Sequence, residues 1–291
     1  MNQLTIIGLG DVARRALSLL NDWQVTATTR AILDLDEACK DTTLFHALPT
    51  ADAVLYTAPP PNTGETDTRL TALLSFWQTD AERRPTHLVY ISTTGVYGDC
   101  GGAWVDESTP PNPQSARAIR RVDAEQQLTD FAKQHSMTLT ILRAPGIYAL
   151  ERLPLARVLA GTPILKAEED SFSNHIHADD LAAVCVVALR QLKGISIYNV
   201  CDDEPLSMGD WFTLLSEAAD WPAPLRVTRE EIAQKVSAQL LSFMRESRRI
   251  RNDALKRDLG IALKYPSARQ FVTDHRTAIS LLVAEMQKTS L

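Results

Sequence analysis

A short apolar run, Leu4 to Ile7, passes directly into Gly8-Leu9-Gly10-Asp11-Val12-Ala13, and the residues that follow, Arg14, Ala16, Leu17 and Leu20 among them, keep helical spacing. A strand that turns on two glycines into a helix opens a βα unit, and such units build parallel sheets. Gly8 permits the tight turn, Gly10 lets backbone N–H groups approach a pyrophosphate, and small Ala13 lets helix and strand pack closely. The helix N-terminus adds a potential that favours negative charge. Gly8, Gly10, Asp11 and Ala13 are therefore candidate cofactor-binding residues, while the same residue types also suit a plain strand-to-helix turn.

The chain repeats this unit. Further strand-like runs lie at Gln24 to Thr28, Ala53 to Thr57, His87 to Ser92 and Thr138 to Leu142. Between them, helical spacing covers Asp11 to Leu20, Thr66 to Trp77 and Gln114 to Gln134. The alternation predicts an α/β fold, a Rossmann doubly wound parallel sheet. After Ala144 the pattern turns irregular and mostly helical, with one more strand-like run at Ser196 to Val200. The expectation is a Rossmann domain of residues 1–146 plus 175–202, with a smaller, mostly helical C-terminal substrate lobe of residues 147–174 plus 203–291. Pro59-Pro60-Pro61 and the stretch Ser108 to Pro113 mark loops after strands, where open α/β sheets bind ligands.

Cofactor choice is read at the end of the second strand, about 20 residues past the glycines. There the chain has Thr28-Thr29-Arg30. A hydroxyl and a guanidinium offer donors and positive charge to a 2′-phosphate, where an acidic residue would take the ribose 2′-OH. Thr29 and Arg30 thus favour NADP, with NAD the second choice; the plainer alternative is a solvated loop arginine.

Charge and cysteines narrow the partners. A net charge of −6 over 291 residues argues against nucleic acid, which needs a basic face. The longest apolar run, Leu181 to Leu189, is too short for a bilayer and reads as a buried helix. Cys39, Cys100, Cys185 and Cys201 form no Cys-x-x-Cys pair, which suits a reducing compartment rather than a disulfide framework or zinc site. No basic, cleavable leader opens the chain. The expectations are a cytoplasmic protein, monomer or homodimer, whose partner is a small molecule rather than nucleic acid or membrane.

Five longer stretches carry a resemblance. Tyr90-Ile91-Ser92-Thr93-Thr94-Gly95-Val96-Tyr97-Gly98-Asp99 is similar to the S-[ST]-x-x-V-Y-G segment of the extended short-chain dehydrogenases, a family that includes nucleotide-sugar epimerases and dehydratases. Ala53 to Ala58 resembles that family's fourth strand, and Leu142-Arg143-Ala144-Pro145-Gly146-Ile147-Tyr148 the segment after its sixth. His175 to Leu181 and Asn252 to Lys256, followed by Leu259-Gly260, extend the likeness across nearly the whole chain. The resemblance implies that Thr57, Ala58, Pro59 and Pro145 pack against the dinucleotide and that Thr93 polarises a substrate oxygen.

The resemblance also implies a catalytic tyrosine and, four residues on, a lysine. Counted back from Glu125, those positions hold Arg117 and Arg121. A guanidinium stays protonated and cannot exchange a proton as a tyrosine does. Spaced four apart, the two arginines share a helix face, either contacting ribose and phosphate or forming a solvated face with Asp123 and Glu125. Tyr97, Tyr148 and His177 are the remaining proton carriers by motif position. The basic segment Arg245 to Arg257 reads as a solvated face or as a grip on a phosphate or carboxylate. The function expected is an NADP(H)-binding oxidoreductase or epimerase/dehydratase-like protein without the usual pair; the alternative is a non-catalytic NADP(H)-binding or redox-sensing protein.

Overall fold

The computed structural model describes residues 2–190 and 194–289. Six parallel strands form the central sheet: β1 (Asn2–Ile7), β2 (Trp23–Thr28), β3 (Ala53–Tyr56), β4 (His87–Thr93), β5 (Thr138–Ala144) and β6 (Ile195–Asn199), in the order β6-β5-β4-β3-β1-β2. Helices α1 (Asp11–Leu17), α2 (Thr68–Thr79), α3 (Ala116–His135) and α4 (Ala178–Leu189) cover its two faces. The strands lie within one or two residues of the sequence expectation.

A sheet covered on both faces must be apolar at successive positions, not only at alternate ones. Ala53 and Leu55 face the core shared with α1 and α4, while Val54 and Tyr56 face the core shared with α2 and α3. Val89 and Ile91 repeat the division against Leu88 and Tyr90. The run Leu181 to Leu189 is the buried inner face of α4.

Between β2 and β3 the resemblance would place another strand, making the Ala53 run the fourth. Residues 29–52 instead hold a short helix, Leu35–Ala38, and a 3-10 turn, Thr42–Ala47, so this run is the third strand. Asp34 and Asp41 direct that outcome, since each side chain accepts a backbone N–H two residues on and starts a turn. β2 is consequently an edge strand. The chain leaves β1 toward β2 on one side and returns to β3 on the other, so the switch point of the sheet lies where Gly8 and Ala58 end their strands.

The remaining chain forms a second, mostly helical layer beyond the carboxyl ends of β4 and β5. Its core joins Tyr148, Leu155, Trp211, Phe212, Phe271 and Val283. Helices α5 (Met208–Ala218), α6 (Ala238–Met244), α7 (Asp253–Leu259), α8 (Ala268–Asp274) and α9 (Arg276–Thr289) belong to this part, α7 packing back against the sheet core. Short strand pairs tie it down: Gly146–Tyr148 runs parallel to His175–His177, and Trp104–Val105 parallel to Arg249–Ile250. No helix among the described residues is long and apolar enough to cross a membrane.

Candidate functional site

Two cavities open along the carboxyl ends of the strands. The first, about 430 Å³, is lined by Gly8, Gly10, Thr29, Arg30, Thr57, Ala58 and Pro59, with Asp34, Asp36 and Arg69. The backbone explains its shape. Gly8 holds φ at +97°, and a Cβ there would stand 2.7 Å from the Ala58 backbone nitrogen. At Gly10 a Cβ would meet nothing within 4 Å, so its place faces open space. Gly10 caps α1 without a side-chain hydrogen bond, and Ala13 is fully buried under the turn. A ledge of backbone with no side chain above it fits the pyrophosphate of a dinucleotide.

The charges around that ledge are paired. Asp11, in the first turn of α1, accepts from Arg15 Nε at 3.1 Å and from Arg152 Nη1 at 3.1 Å. Arg15 also bonds Asp179 and Glu151, joining α1 to α4 and to the helical part. Arg30 is exposed and donates to Asp34 at 2.9 Å, while Arg69 forks onto Asp36 at 2.7 Å and donates to the Pro59 carbonyl at 2.9 Å. The Arg30 guanidinium holds the Asp34 carboxyl below its usual range. Thr29 lends its carbonyl to the turn through Ile32 and Leu33, and the Thr57 hydroxyl donates to Gly8.

The second cavity, about 500 Å³, is lined by Thr93, Arg117, Pro145, Tyr148, His175 and Trp211, among others. Parallel register brings two of these together: Thr93 pairs with Ala144, so Pro145 leaves β5 beside the end of β4. Thr93 Oγ1 accepts the Gly95 N–H at 3.2 Å, which orients the hydroxyl and leaves its proton to donate. Arg152, on the wall of this cavity, is the arginine that reaches Asp11, the residue after Gly10.

Arg117 and Arg121 share one face of α3 yet diverge. Arg117 enters the second cavity, donates to Ser242 Oγ at 3.2 Å and stacks 3.7 Å over Phe243. Burial lowers its pKa, against the raising field of Glu246. Arg121 turns to the sheet and donates to the Tyr90 hydroxyl and the Ile91 carbonyl, each at 2.8 Å. Neither arginine pairs with Asp123 or Glu125. Asp123 accepts the Asp67 N–H, and Glu125 is buried.

Glu125 belongs to a buried chain of polar groups that residue-by-residue reading missed. Arg143 forks onto it at 2.6 to 3.2 Å, and the Ser92 hydroxyl donates to it at 2.5 Å. Arg143 Nη1 also donates to the Tyr97 hydroxyl at 2.9 Å, and that hydroxyl donates to Asn199 at 2.8 Å. Burial raises the Tyr97 pKa, while Arg143 opposes that rise. The Tyr97 ring is buried behind the wall of the cavity, with its hydroxyl fully engaged.

Tyr148 lines the cavity with its ring edge, packed against His175, His177, Trp211 and Phe271. Its buried hydroxyl has no partner among the described residues, and burial pushes its pKa up. His177 caps α4, its Nδ1 accepting the Asp179 N–H at 3.1 Å; burial pushes its pKa down to about 4, so the ring is neutral. Asp180 instead accepts the backbone N–H groups of Lys264 and Tyr265, at 2.8 and 2.9 Å. In the basic segment, Arg248 lines the cavity, paired with Glu246 at 3.0 Å. Arg249, Arg251, Lys256 and Arg257 engage Gly102, Asp253, Asp203 and Asp258 instead. Of the cavity residues, Arg157 carried no local motif and escaped the sequence reading, while His175 and Glu246 lay inside stretches that were read without giving either a site role.

Comparison with known proteins gives a consistent outcome. The sequence model of the NAD dependent epimerase/dehydratase family matches residues 24–201, beginning after the glycine turn. Protein YeeZ of Escherichia coli K12 is 30% identical over 224 residues, covering 69% of this chain and 78% of that protein. A conserved protein from Silicibacter pomeroyi DSS, described as functionally unknown, superposes with a TM-score of 0.78 at 31% identity, covering 96% of this chain and 99% of the other. The human epimerase family protein SDR39U1, solved with NADPH, shares the fold at a TM-score of 0.71 and 17% identity, covering 96% and 99% of the two chains.

Proposed function

The chain belongs to the NAD dependent epimerase/dehydratase family, and on that premise we propose that it binds NADP(H) across the glycine turn and serves hydride transfer on a small molecule held in the second cavity. The observation that carries this reading is that both openings lie at one end of the sheet, beyond the carboxyl ends of its strands. The wall residue Arg152 reaches Asp11 on the pyrophosphate ledge, and the ends of β4 and β5 deliver Thr93 and Pro145 to the same cavity.

When bound, the dinucleotide supplies the hydride donor or acceptor. Gly8, Gly10 and the first turn of α1 would hold its pyrophosphate, Thr57, Ala58 and Pro59 would flank it, and Thr29 and Arg30 would take a 2′-phosphate. Arg30 is already bonded to Asp34, so the phosphate would compete with that carboxylate. Thr93 would donate a hydrogen bond from its hydroxyl to the substrate oxygen and so orient it. Arg117 contributes a fixed positive charge beside it and transfers no proton. Arg121 acts through the sheet, and Tyr97 with Arg143 braces the strand ends that carry Thr93.

A second reading has its own support: both positions of the missing pair hold side chains that cannot exchange a proton. On this reading the protein binds NADP(H) and senses or stores it without turnover. Saturating the full chain with NADPH and following its oxidation against a panel of carbonyl compounds and nucleotide-sugars separates the two. Turnover with at least one compound, lost in Thr93→Ala, is the outcome expected. Tight NADPH binding with no turnover on any compound favours the sensor, and no affinity for either pyridine nucleotide ends both readings.

A further inference from the structure

One wall of the cavity beside Thr93 is a strap held at its two ends. Ile232 and Met244 are buried, and none of residues 233–243 between them is. The short helix Arg229–Ala233 leads into this segment and α6 fills its second half, where Leu240 and Phe243 line the cavity. Val236, Leu240 and Leu241 are only half-buried against the small cluster of Leu165, Val227, Ile232 and Met244, and Phe243 stays 43% exposed.

The hydrogen bonds of the segment are nearly all its own. The Val236 N–H donates to the Ile232 carbonyl, the Leu240 N–H to Ser237 Oγ, the Leu241 N–H to the Ser237 carbonyl and the Ser242 hydroxyl to the Gln239 carbonyl. Its ends are fixed. Thr228 and Glu231 form a capping box at one, and at the other the Met244 carbonyl accepts from Ser171 Oγ at 2.6 Å and from Arg229 Nη1 at 2.8 Å. Among the described residues, one hydrogen bond ties the middle to a distant part of the chain. Arg117 Nη1, on α3, donates to Ser242 Oγ at 3.2 Å, and the same guanidinium stacks 3.7 Å over the Phe243 ring. A segment with few buried apolar contacts and self-contained hydrogen bonds opens at lower cost than the core does. One side chain therefore does most to hold this wall against the cavity.

We propose that residues 233–243 are a movable strap over the cavity and that Arg117 is the latch that holds it shut. The inference rests on the reading of this cavity as the ligand site and adds how that site is opened and closed. Ile232 and Met244 stay in place, and breaking one stack and one hydrogen bond frees Leu240 and Phe243 from the wall. A guanidinium suits the task, because it donates and stacks at once while keeping its charge. The position that the resemblance gives to a proton-exchanging tyrosine thus carries a side chain that fastens the helical layer to α3.

Hydrogen exchange of the full chain in deuterium oxide, read by mass spectrometry on its peptides, tests this without cofactor or substrate. In the unmodified chain the amides of α6 should exchange about tenfold or more faster than those of α5. Arg117→Ala and Phe243→Ala should each speed exchange in α6 by about tenfold again and leave α5 and β4 unchanged. The two changes together should go little further than either alone, because both release one contact. Exchange in α6 as slow as in α5, exchange unaltered by both variants, or an equal acceleration along the whole chain overturns the proposal; the last would make Arg117 a general stabiliser instead of a latch. The comparison within the unmodified chain needs no variant to fold. No affinity for NADPH in a separate calorimetric titration would remove the cofactor reading and leave the latch standing.

Discussion

Gly8 works by what it lacks. A side chain there would enter a backbone region costly for any residue with a Cβ and press on Ala58 across the switch point. Gly8→Ala is expected to cost about 1 to 2 kcal/mol from the backbone alone and to weaken NADPH binding at least tenfold, read by urea unfolding and calorimetry together. Unchanged affinity would show that the ledge is only a turn. Arg30 makes the opposite case, because its side chain is 78% exposed and its partner Asp34 leaves room for a phosphate to compete. Arg30→Ala should weaken NADP(H) tenfold or more and NAD(H) less than twofold; equal losses would remove the preference for NADP.

At the scale of elements, α3 and β5 are locked by Glu125 and Arg143, both nearly inaccessible. A buried ion pair adds little net stability, but removing one partner strands the other charge. Glu125→Gln is expected to cost about 3 to 5 kcal/mol in urea unfolding, and Glu125→Met with Arg143→Met together should cost less than either change alone. Strictly additive losses would contradict this account. The same element shows how far a pattern can be read. Helical spacing located α3 within two residues and put Arg117 and Arg121 on one face, but the local pattern held no sign that Arg121 would spend its donors on Tyr90 and Ile91. Those partners are about 30 residues away in sequence and meet α3 only because β4 lies beneath it.

Over the whole molecule, burial sets the response to acid and base. His87, His175 and His177 are pushed down to about 4, and Asp202 is pushed up to about 8, each chiefly because burial disfavours its charged form. Between pH 4 and 6.5 the unfolded chain binds protons at three histidines, while the folded chain holds one at Asp202, so stability rises with pH. Above 6.5 the histidines are neutral in both states and only Asp202 keeps its proton in the folded one, so stability falls toward pH 8. Denaturant unfolding from pH 4.5 to 8.5 should therefore peak near pH 6.5, and Asp202→Asn should flatten the alkaline limb. A curve that climbs without a break through pH 8 would count against the burial of Asp202.

Periodicity and the glycine turn by themselves determined the parallel sheet, its strands, the main helices between them and the end of the sheet where the two cavities open. These are local consequences of backbone geometry, since a period of two or of 3.6 is written into neighbouring residues. Only the resemblance counted a further strand before Ala53, where the strand-like runs held none: Asp34 and Asp41 start turns there through side-chain hydrogen bonds. Only the tertiary structure decided which arginines of the second cavity are neutralised and which are left over. Arg152 finds Asp11 across 141 residues, Arg248 finds Glu246 across two, and Arg157 finds no carboxylate among the described residues. Charge pairing depends on distances in space, which fall with the fold and not with position along the chain.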